Sequence, residues 1–195
     1  CDAVACAHER GVLHRDIKPG NILIEAQTGA PRVIDFGLAR FTGDEGEGVT
    51  VEGQTLGTPM YMAPELMEGK VEAASTLSDV YALGVVLFEL LAETSPYEAN
   101  RNQIELISII RTTEPKSISK VSPGLPLDLV AIVQKAMARD PGERYPGAAA
   151  LGEDVRYYLA GLPVEARRSS VFYTTAKFAR RHWKKLTVAV LLALS

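Results

Sequence analysis

The sequence predicts a mainly α-helical fold that contains one small β-hairpin. Apolar residues recur at helical spacing along several stretches, and the longest, Leu77–Leu91, is apolar on nearly every side, which is typical of a buried central helix. Two short runs rich in β-branched residues, Ile22–Ile24 and Arg32–Ile34, flank a polar segment with Gly29 and Pro31, which indicates paired strands. At 195 residues, 47% hydrophobic and 23% charged, the chain can bury one sizeable core.

The octapeptide at residues 14–21, His-Arg-Asp-Ile-Lys-Pro-Gly-Asn, places a carboxylate, an ammonium group and a carboxamide within six residues. Its proline-glycine pair opposes a regular helix, so the segment is predicted to be a loop. It matches the H-R-D-x-x-x-x-N motif of kinase catalytic loops. The Asp-Phe-Gly and Ala-Pro-Glu motifs follow in the expected order, at Asp35–Gly37 and Ala63–Glu65.

These motifs resemble those of the eukaryotic-like, or Hanks-type, protein kinases over about residues 1–161. Lys18, two residues after Asp16, and the stretch Gly57–Glu65 are similar to the serine/threonine branch. The implied fold is the large, C-terminal lobe of a kinase domain. The family's glycine-rich loop, strand lysine and helix glutamate should precede this region, whereas thirteen residues stand before His14. We therefore expect a partial kinase domain without the small lobe, inactive when expressed alone.

The resemblance implies a serine/threonine kinase that transfers the γ-phosphoryl group of ATP to a protein hydroxyl. Asp16 would orient the hydroxyl and take its proton, and Lys18 would contact the transferring phosphate. Asn21 and Asp35 offer the hard oxygen ligands that suit Mg²⁺. Leu23 would lie under the adenine ring, with plain core packing as the alternative. A pseudokinase that binds without turnover is the rival function, but it should lack one of the four catalytic side chains, and none is missing.

An activation loop is expected between Leu38 and Gly57, where the hydrophobic period disappears and an acidic, glycine-rich run begins. By resemblance, a phosphate on this loop would pair with Arg15. Thr50 is the favoured acceptor, with an ordinary loop threonine as the alternative. Thr58 is expected to position the catalytic residues rather than to be phosphorylated. The remaining candidate acceptors are Thr42 and Thr55.

Four further residues are expected to hold the lobe together. His14 is interpreted as a buried histidine that hydrogen-bonds the backbone, in preference to a catalytic group. Glu65 is an acid next to apolar sequence and needs a partner, which the family implies is Arg144. Asp79 would anchor the backbone of the catalytic loop by resemblance, and a first-turn or capping carboxylate is the alternative.

The remaining helices follow from spacing and breaks. A first helix is expected from Ala3 to Gly11, and its cysteines, Cys1 and Cys6, lie on different sides of it. A disulfide is therefore not expected, and Cys6 is interpreted as a small core residue in a reducing compartment. Three more helical stripes follow the central helix, and the lobe is expected to end at Gly161. The stripes are Ile104–Ile110, Leu129–Met137 and Leu151–Leu159.

The end of the chain changes character. Residues 162–185 are basic with aromatic residues among them, whereas residues 186–195 are uncharged. The apolar run and the net charge of -3 argue against nucleic-acid binding. A spanning helix needs about twenty apolar residues, so the final ten resemble the first half of a transmembrane helix. An amphipathic tail packed on the lobe is the alternative.

This layout resembles the bacterial membrane-anchored serine/threonine kinases. Because lysine and arginine favour the cytoplasmic side, the lobe should lie inside a single-pass cytoplasmic-membrane protein. The expected partners are a protein substrate and a second kinase for autophosphorylation in a dimer. A membrane-tethered interaction scaffold is the further alternative.

Overall fold

The structure is a computed structural model that describes residues 1–36, 59–68, 74–98 and 102–168. Within these ranges the predicted mainly helical fold with one hairpin is confirmed. The helices are α1 (Asp2–His8), α2 (Thr76–Ala92), α3 (Gln103–Thr112), α4 (Ile118–Val121), α5 (Leu127–Ala136) and α6 (Ala148–Leu159). The strands are β1 (Ile22–Ile24) and β2 (Pro31–Val33). Short 3-10 helices lie at Pro19–Asn21, Pro59–Tyr61, Pro64–Glu68, Pro141–Glu143 and Glu165–Arg167.

Helix α2 is the buried centre of the lobe. Ser75 caps it, because its Oγ accepts from the Leu77 N–H at 3.2 Å while its own N–H donates to the Ser78 hydroxyl at 3.3 Å. The helix ends where Glu93 turns into the left-handed region at φ 52°. Apolar side chains are buried around its whole circumference, as predicted for the central helix. They include Val80, Tyr81, Leu83, Val85, Val86 and Phe88.

The two main apolar clusters share α2. One joins it to α1, α5 and α6 through Val4, Ile17, Val80, Val86, Ile132, Ala136, Leu151 and Val164. The other contains Tyr81, Val85, Phe88, Ile118, Val133 and Met137. Helices α2 and α5 meet closely at Gly84, where a Cβ would lie 2.8 Å from Met137 Cγ and 2.9 Å from Ala136 Cβ. Their packing therefore depends on a residue without a side chain.

The hairpin carries two of the predicted site residues toward each other. Strands β1 and β2 are antiparallel, with Ile22 opposite Val33. Beyond the ladder, the Ile34 N–H donates to the Asn21 carbonyl at 3.0 Å. The second strand begins one residue earlier than predicted, and Asp35 follows it in the left-handed region at φ 57°. Asn21 and Asp35 are thus brought to the same end of the hairpin.

The first helix corrects one expectation from the sequence. Helix α1 ends at His8, and the chain turns at Gly11, whose φ is 72°. Val4 faces the core, whereas Cys6 is exposed. The interpretation of Cys6 as a core residue is wrong, because two residues along a helix rotate a side chain by roughly 200°.

Residues 162–168 lie against α5 and α6. Val164 is fully buried, and the Asp154 carboxylate accepts from the backbone N–H groups of Glu165 and Ala166, the latter at 3.0 Å. Arg167 donates to Asp128 at 2.7 Å. This part of the predicted 162–185 linker is therefore packed on the lobe. In the described ranges no helix is long and apolar enough to cross a bilayer, and the apolar run 186–195 lies outside those ranges.

Candidate active site

The backbone of the 14–21 loop is held by a carboxylate in the first turn of α2. Asp79, which is 2% exposed, accepts from the His14 N–H at 2.8 Å and from the Arg15 N–H at 2.9 Å. Its Oδ2 also lies 2.8 Å from Nε2 of His8, at the end of α1. Arg15 has φ 66°, a conformation that non-glycine residues adopt rarely. The contacts from Asp79 stabilise that turn and fix the direction in which Asp16 leaves it.

His14 joins the loop to the segment that carries Asp35. The ring is fully buried, and its Nε2–H donates to the Ile34 carbonyl at 3.0 Å. Its Nδ1 lies 3.3 Å from the Asp16 N–H, which donates to it. The ring also packs against Phe36, with the ring centroids 4.8 Å apart. Through these contacts His14 joins the 14–21 loop to the segment that follows β2.

Asp16, Lys18 and Asn21 form one hydrogen-bonded group at the mouth of the loop. The Lys18 ammonium lies 2.8 Å from Oδ2 of Asp16. Nδ2 of Asn21 donates to the Asp16 carbonyl at 2.8 Å and to Asp16 Oδ2 at 3.1 Å. Asn21 is buried, whereas the side chains of Asp16 and Lys18 are 30% and 27% exposed. A charged pair is thus fixed in place and still open to solvent on one side.

The donor set at Asn21 and Asp35 fits a magnesium ion. Nδ2 of Asn21 donates to Asp16, which leaves Oδ1 as the acceptor atom of the amide. The Asp35 side chain is exposed, one residue after Ile34, whose N–H donates to the Asn21 carbonyl. Mg²⁺ prefers hard oxygen ligands and is commonly held by one or two carboxylates together with substrate phosphates. The described residues contain no group of three or more His, Cys, Asp or Glu side chains able to hold a metal. A shared site with phosphate oxygens needs no such group.

A small cavity of about 30 Å³ opens next to Asp16. Ile17, the stretch Tyr61–Ala63 and Asp79 line it together with Arg15 and Asp16 of the loop. The Tyr61 hydroxyl donates to Glu89 at 2.7 Å, and burial together with that hydrogen bond raises the pKa of Tyr61 well above its usual range. The tyrosine therefore keeps its proton and ties the 59–68 segment to α2.

Comparison with known proteins agrees with this arrangement. The protein kinase domain family matches residues 1–154 of the chain. The chain belongs to the protein kinase family. Its predicted likeness to the Hanks-type serine/threonine kinases of bacteria is confirmed by the relatives below.

The similar curated proteins are named as bacterial serine/threonine-protein kinases. PknB of Mycobacterium tuberculosis is 39% identical over 166 residues, which cover 85% of this chain and 26% of PknB. A probable serine/threonine-protein kinase, CE0033 of Corynebacterium efficiens, is 36% identical over 88% of this chain and 26% of its own length. PknK of Mycobacterium bovis is 39% identical over 79% of this chain and 13% of its own. The chain thus spans about a quarter or less of these relatives.

Within this kinase lobe, Glu65 and Arg144 form a bidentate ion pair. Nη1 and Nη2 of Arg144 each donate to a different carboxylate oxygen of Glu65 at 2.8 Å. The Arg144 side chain has no exposed surface. Ser78 donates a further hydrogen bond to Glu65 at 3.1 Å. Arg144 also donates to the Leu77 carbonyl at 2.9 Å and lies over the Tyr81 ring at 4.9 Å. The pair joins the 59–68 segment to α2 and to the loop before α6.

The predicted nucleotide residue Leu23 lies on β1 and is 52% exposed. Its neighbour Ile24 is 64% exposed. The described residues therefore do not bury Leu23 in a core, and its place under an adenine ring stays a prediction. An apolar side chain facing solvent at this edge of the hairpin is available to an adenine ring.

Of the predicted regulatory residues, only Arg15 lies within the residues that the structure describes. Arg15 is exposed on the catalytic loop and lines the cavity beside Asp16. The activation-loop candidates lie outside the described residues, as does Gly37 of the Asp-Phe-Gly motif. These candidates are Thr42, Thr50, Thr55 and Thr58.

Three contributors to the site were missed from the sequence. His8 reaches Asp79 across 71 residues, Ser78 reaches Glu65 across 13, and Tyr61 reaches Glu89 across 28. Tyr61 belongs to a stretch that the motif comparison already covered, so its position carried a signal. His8 and Ser78 offered none, because their helix positions are equally typical of surface polar residues.

Proposed function

We propose that the chain supplies the large lobe of a kinase that transfers the γ-phosphoryl group of ATP to serine or threonine hydroxyls of proteins. The observation that carries the proposal is the state of the Asp16 carboxylate. Its Oδ2 accepts from Lys18 and Asn21, and the hydrogen bonds of the described residues leave Oδ1 open. A carboxylate with one oxygen fixed and the other open is suited to orient a hydroxyl and accept its proton.

The residues around Asp16 supply orientation and charge. Asn21 holds Asp16 through two hydrogen bonds, one to its backbone carbonyl at 2.8 Å and one to its carboxylate Oδ2 at 3.1 Å. Lys18 is a flexible point charge that can move from Asp16 to the transferring phosphate as negative charge spreads over it. When bound at Asn21 and Asp35, Mg²⁺ would neutralise charge on the phosphate oxygens. Asp79 and His14 hold both segments in register, which is the positioning that phosphoryl transfer depends on.

Phosphate transfer by the full-length protein tests this function. The purified protein, incubated with ATP labelled at the γ-phosphate and with myelin basic protein as a generic acceptor, should yield labelled phosphoserine or phosphothreonine. Chelation of divalent cations by EDTA should stop the labelling, because hard cations are part of the proposed mechanism. A protein that binds ATP analogues yet labels no acceptor would favour the pseudokinase alternative.

We further propose that the kinase phosphorylates its own activation loop within a transient dimer. Arg15 supports this proposal, since it is exposed beside Asp16, where a guanidinium can pair with a phosphate. Each phosphate would bring about -1.5 to -2 charges to that position. Mass spectrometry of the active protein should find phosphate between Thr42 and Thr55, with Thr50 favoured. An active preparation without phosphate there would contradict the proposal.

A membrane anchor is the third part of the proposal. It rests on the basic stretch 162–185 followed by the uncharged run 186–195. Basic residues favour the cytoplasmic side, so the kinase lobe would face the cytoplasm, and anionic lipid would add about 1 kcal/mol for each nearby lysine or arginine. Fractionation of cells that express the full-length protein should place it in the membrane. Protease added to intact cells should leave the kinase lobe uncleaved, because it would lie in the cytoplasm. Recovery of the full-length protein in the soluble fraction would contradict the proposed membrane anchor.

A further inference from the structure

We infer that Arg139 is a positioning residue for the protein substrate, an inference that rests on the proposed kinase function. Arg139 lies in the loop after α5 and does not line the cavity beside Asp16. It acts through helix α3, whose C-terminal end it holds. Helix α3 in turn supports the 59–68 segment that lines the cavity.

Helix α3 is attached to the lobe through one narrow face. Only Leu106 and Ile110 are buried along it, and Ile104 is 81% exposed. These two side chains pack with Met60 and Met67 of the 59–68 segment, in a cluster completed by Tyr97. Ile107 and Ile109 are partly buried against the same cluster. Two fully buried side chains are still a small contact for a ten-residue helix, so its placement benefits from further restraint.

Arg139 supplies that restraint at the end of α3. Its Nη1 donates to the carbonyls of Ile110 at 3.0 Å and of Thr113 at 2.7 Å, and its Nη2 donates to the Arg111 carbonyl. Carbonyls in the last turn of a helix have no partner within the helix, and a cation there also opposes the negative end of the helix dipole. One side chain from another part of the fold thus binds two carbonyls in the last turn of α3 and the carbonyl of Thr113, which follows the helix.

The backbone of Arg139 is itself fixed by Arg144. The Arg144 guanidinium donates to the carbonyls of Ala138 at 2.7 Å and of Arg139 at 3.0 Å while it holds Glu65. Both arginines therefore restrain the same segment. Arg144 holds residues 59–68 directly, and Arg139 holds them through α3.

A change at Arg139 should therefore act on the acceptor side of the reaction. The segment that α3 supports contributes Tyr61, Met62 and Ala63 to the cavity beside Asp16, which is where the proposed function places the acceptor hydroxyl. The proposed nucleotide residues lie on the hairpin and on residues 16–21, which α3 does not support. We expect the KM for a protein acceptor to depend on Arg139, and the KM for ATP to be independent of it.

The test compares three variants of the full-length protein, Arg139→Gln, Arg139→Lys and Arg111→Gln. Arg139→Gln removes the charge and the forked donors. Arg139→Lys keeps the charge with fewer fixed donors. Arg111→Gln is the matched control, because its side chain is exposed on the same helix end while its carbonyl keeps the contact with Arg139. The measurements are kcat and KM for myelin basic protein and for ATP, with hydrogen exchange of the α3 amides on the same samples.

In Arg139→Gln the KM for the protein acceptor should rise roughly three- to tenfold, with kcat and the KM for ATP within about twofold of the unchanged protein. Arg139→Lys should lie between, Arg111→Gln should match the unchanged protein, and the α3 amides should exchange faster only in the Arg139 variants. An unchanged acceptor KM, or equal losses in all constants, would overturn the inference.

Failure of the inference can be told from failure of the proposed function. If the protein transfers phosphate normally and Arg139→Gln leaves the KM for the protein acceptor unchanged, only the inference about Arg139 is contradicted. A protein that transfers no phosphate before any substitution contradicts the proposed function. In that case the hydrogen-exchange rates of the α3 amides test whether Arg139 holds the end of α3. Rates that Arg139→Gln leaves unchanged would overturn the inference.

Discussion

One buried carboxylate determines the shape of the catalytic loop at the residue scale. Arg15 adopts φ 66°, which costs a non-glycine residue about 1–2 kcal/mol. The two backbone N–H groups that this turn directs inward both donate to Asp79. Hydrogen bonds to a charged group contribute about 1.5–3 kcal/mol, enough to offset the strain. Asp79 therefore holds the backbone of the 14–21 loop in this conformation.

Asp79→Asn should destabilise the lobe. An amide has one acceptor oxygen where the carboxylate has two, so its NH₂ group would face one of the two backbone donors, and the free energy of unfolding should fall by about 1–3 kcal/mol. Urea unfolding of the 195-residue chain measures this. The control is Asp2→Asn, whose ion pair with Arg156 is largely exposed and is worth less than about 1 kcal/mol. Equal effects of the two substitutions would contradict the assignment.

Sequence reasoning could place the candidate site residues together because they lie in short contiguous motifs. Asp16, Lys18 and Asn21 fall within six residues, and the hairpin that follows carries Asp35 to the same end of the lobe. Contacts between distant positions could not be deduced from spacing. The 2.8 Å approach of His8 to Asp79, for example, depends on how α1 packs beside α2.

At the scale of elements, the sequence pattern that predicted a helix most accurately was a run of residues that are apolar on nearly every side. The apolar run at 77–91 predicted α2 to within one residue at each end. Helix α4 was missed because four residues are too few to show a helical period. Cys6 was placed in the core incorrectly, since a seven-residue helix with one buried side chain gives little evidence of which face is turned inward.

The contact between α2 and α5 leads to a prediction at Gly84. Alanine favours helices over glycine by about 1 kcal/mol, yet here its Cβ would lie under 3 Å from Met137 and Ala136. Overpacking of this kind costs about 1–3 kcal/mol, so Gly84→Ala should lower the midpoint of thermal unfolding. Gly20→Ala is the control, because an added Cβ meets nothing within 4 Å there. A more stable Gly84→Ala chain would show that α2 and α5 are further apart.

The Asp154 carboxylate, which binds the backbone of residues 165–166, also predicts how the stability of the lobe depends on pH. Tyr145 donates to Asp154 at 2.6 Å, and burial together with this hydrogen bond raises the pKa of Tyr145 above its ordinary value. The folded state thus holds the phenol proton more tightly than the unfolded chain does. The associated stability is fully present below about pH 10, the ordinary tyrosine pKa, and is lost as the pH rises from there toward the folded-state pKa.

Tyr145→Phe should therefore reduce the alkaline loss of stability. The free energy of unfolding, measured with urea between about pH 8 and pH 11, should fall less steeply above pH 10, by up to about 1.4 kcal/mol per pH unit. Tyr81 and Tyr97, whose pKa values are also raised by burial, still titrate in this variant, so some slope remains. Identical slopes would contradict the assignment.

At the scale of the whole molecule, the proposed nucleotide site would have one of its sides on this lobe. The apolar side chains of Leu23 and Ile24 are 52% and 64% exposed on the hairpin. Ligand sites normally bury most of their ligand between facing walls. The 195 residues carry a catalytic group but no glycine-rich loop before it. This chain alone should therefore bind ATP weakly.

We predict that the 195-residue polypeptide, expressed by itself, transfers no phosphate at ordinary kinase rates. Its Asp16 group is complete, yet its nucleotide has one wall to bind against, so the reacting phosphate is not held in line. Labelled ATP and myelin basic protein provide the assay, with the full-length protein as the positive control. Turnover by the polypeptide would show that the hairpin alone binds the nucleotide.

The most direct test of the central claim is Asp16→Asn in the full-length protein. Asparagine keeps the size of the side chain and an acceptor oxygen but cannot take a proton, so transfer should fall to background while affinity for a fluorescent ATP analogue changes by less than about threefold. This split between chemistry and binding is the result that the proposed role of Asp16 predicts. Equal loss of transfer and of nucleotide binding would contradict it and leave Asp16 with a structural role.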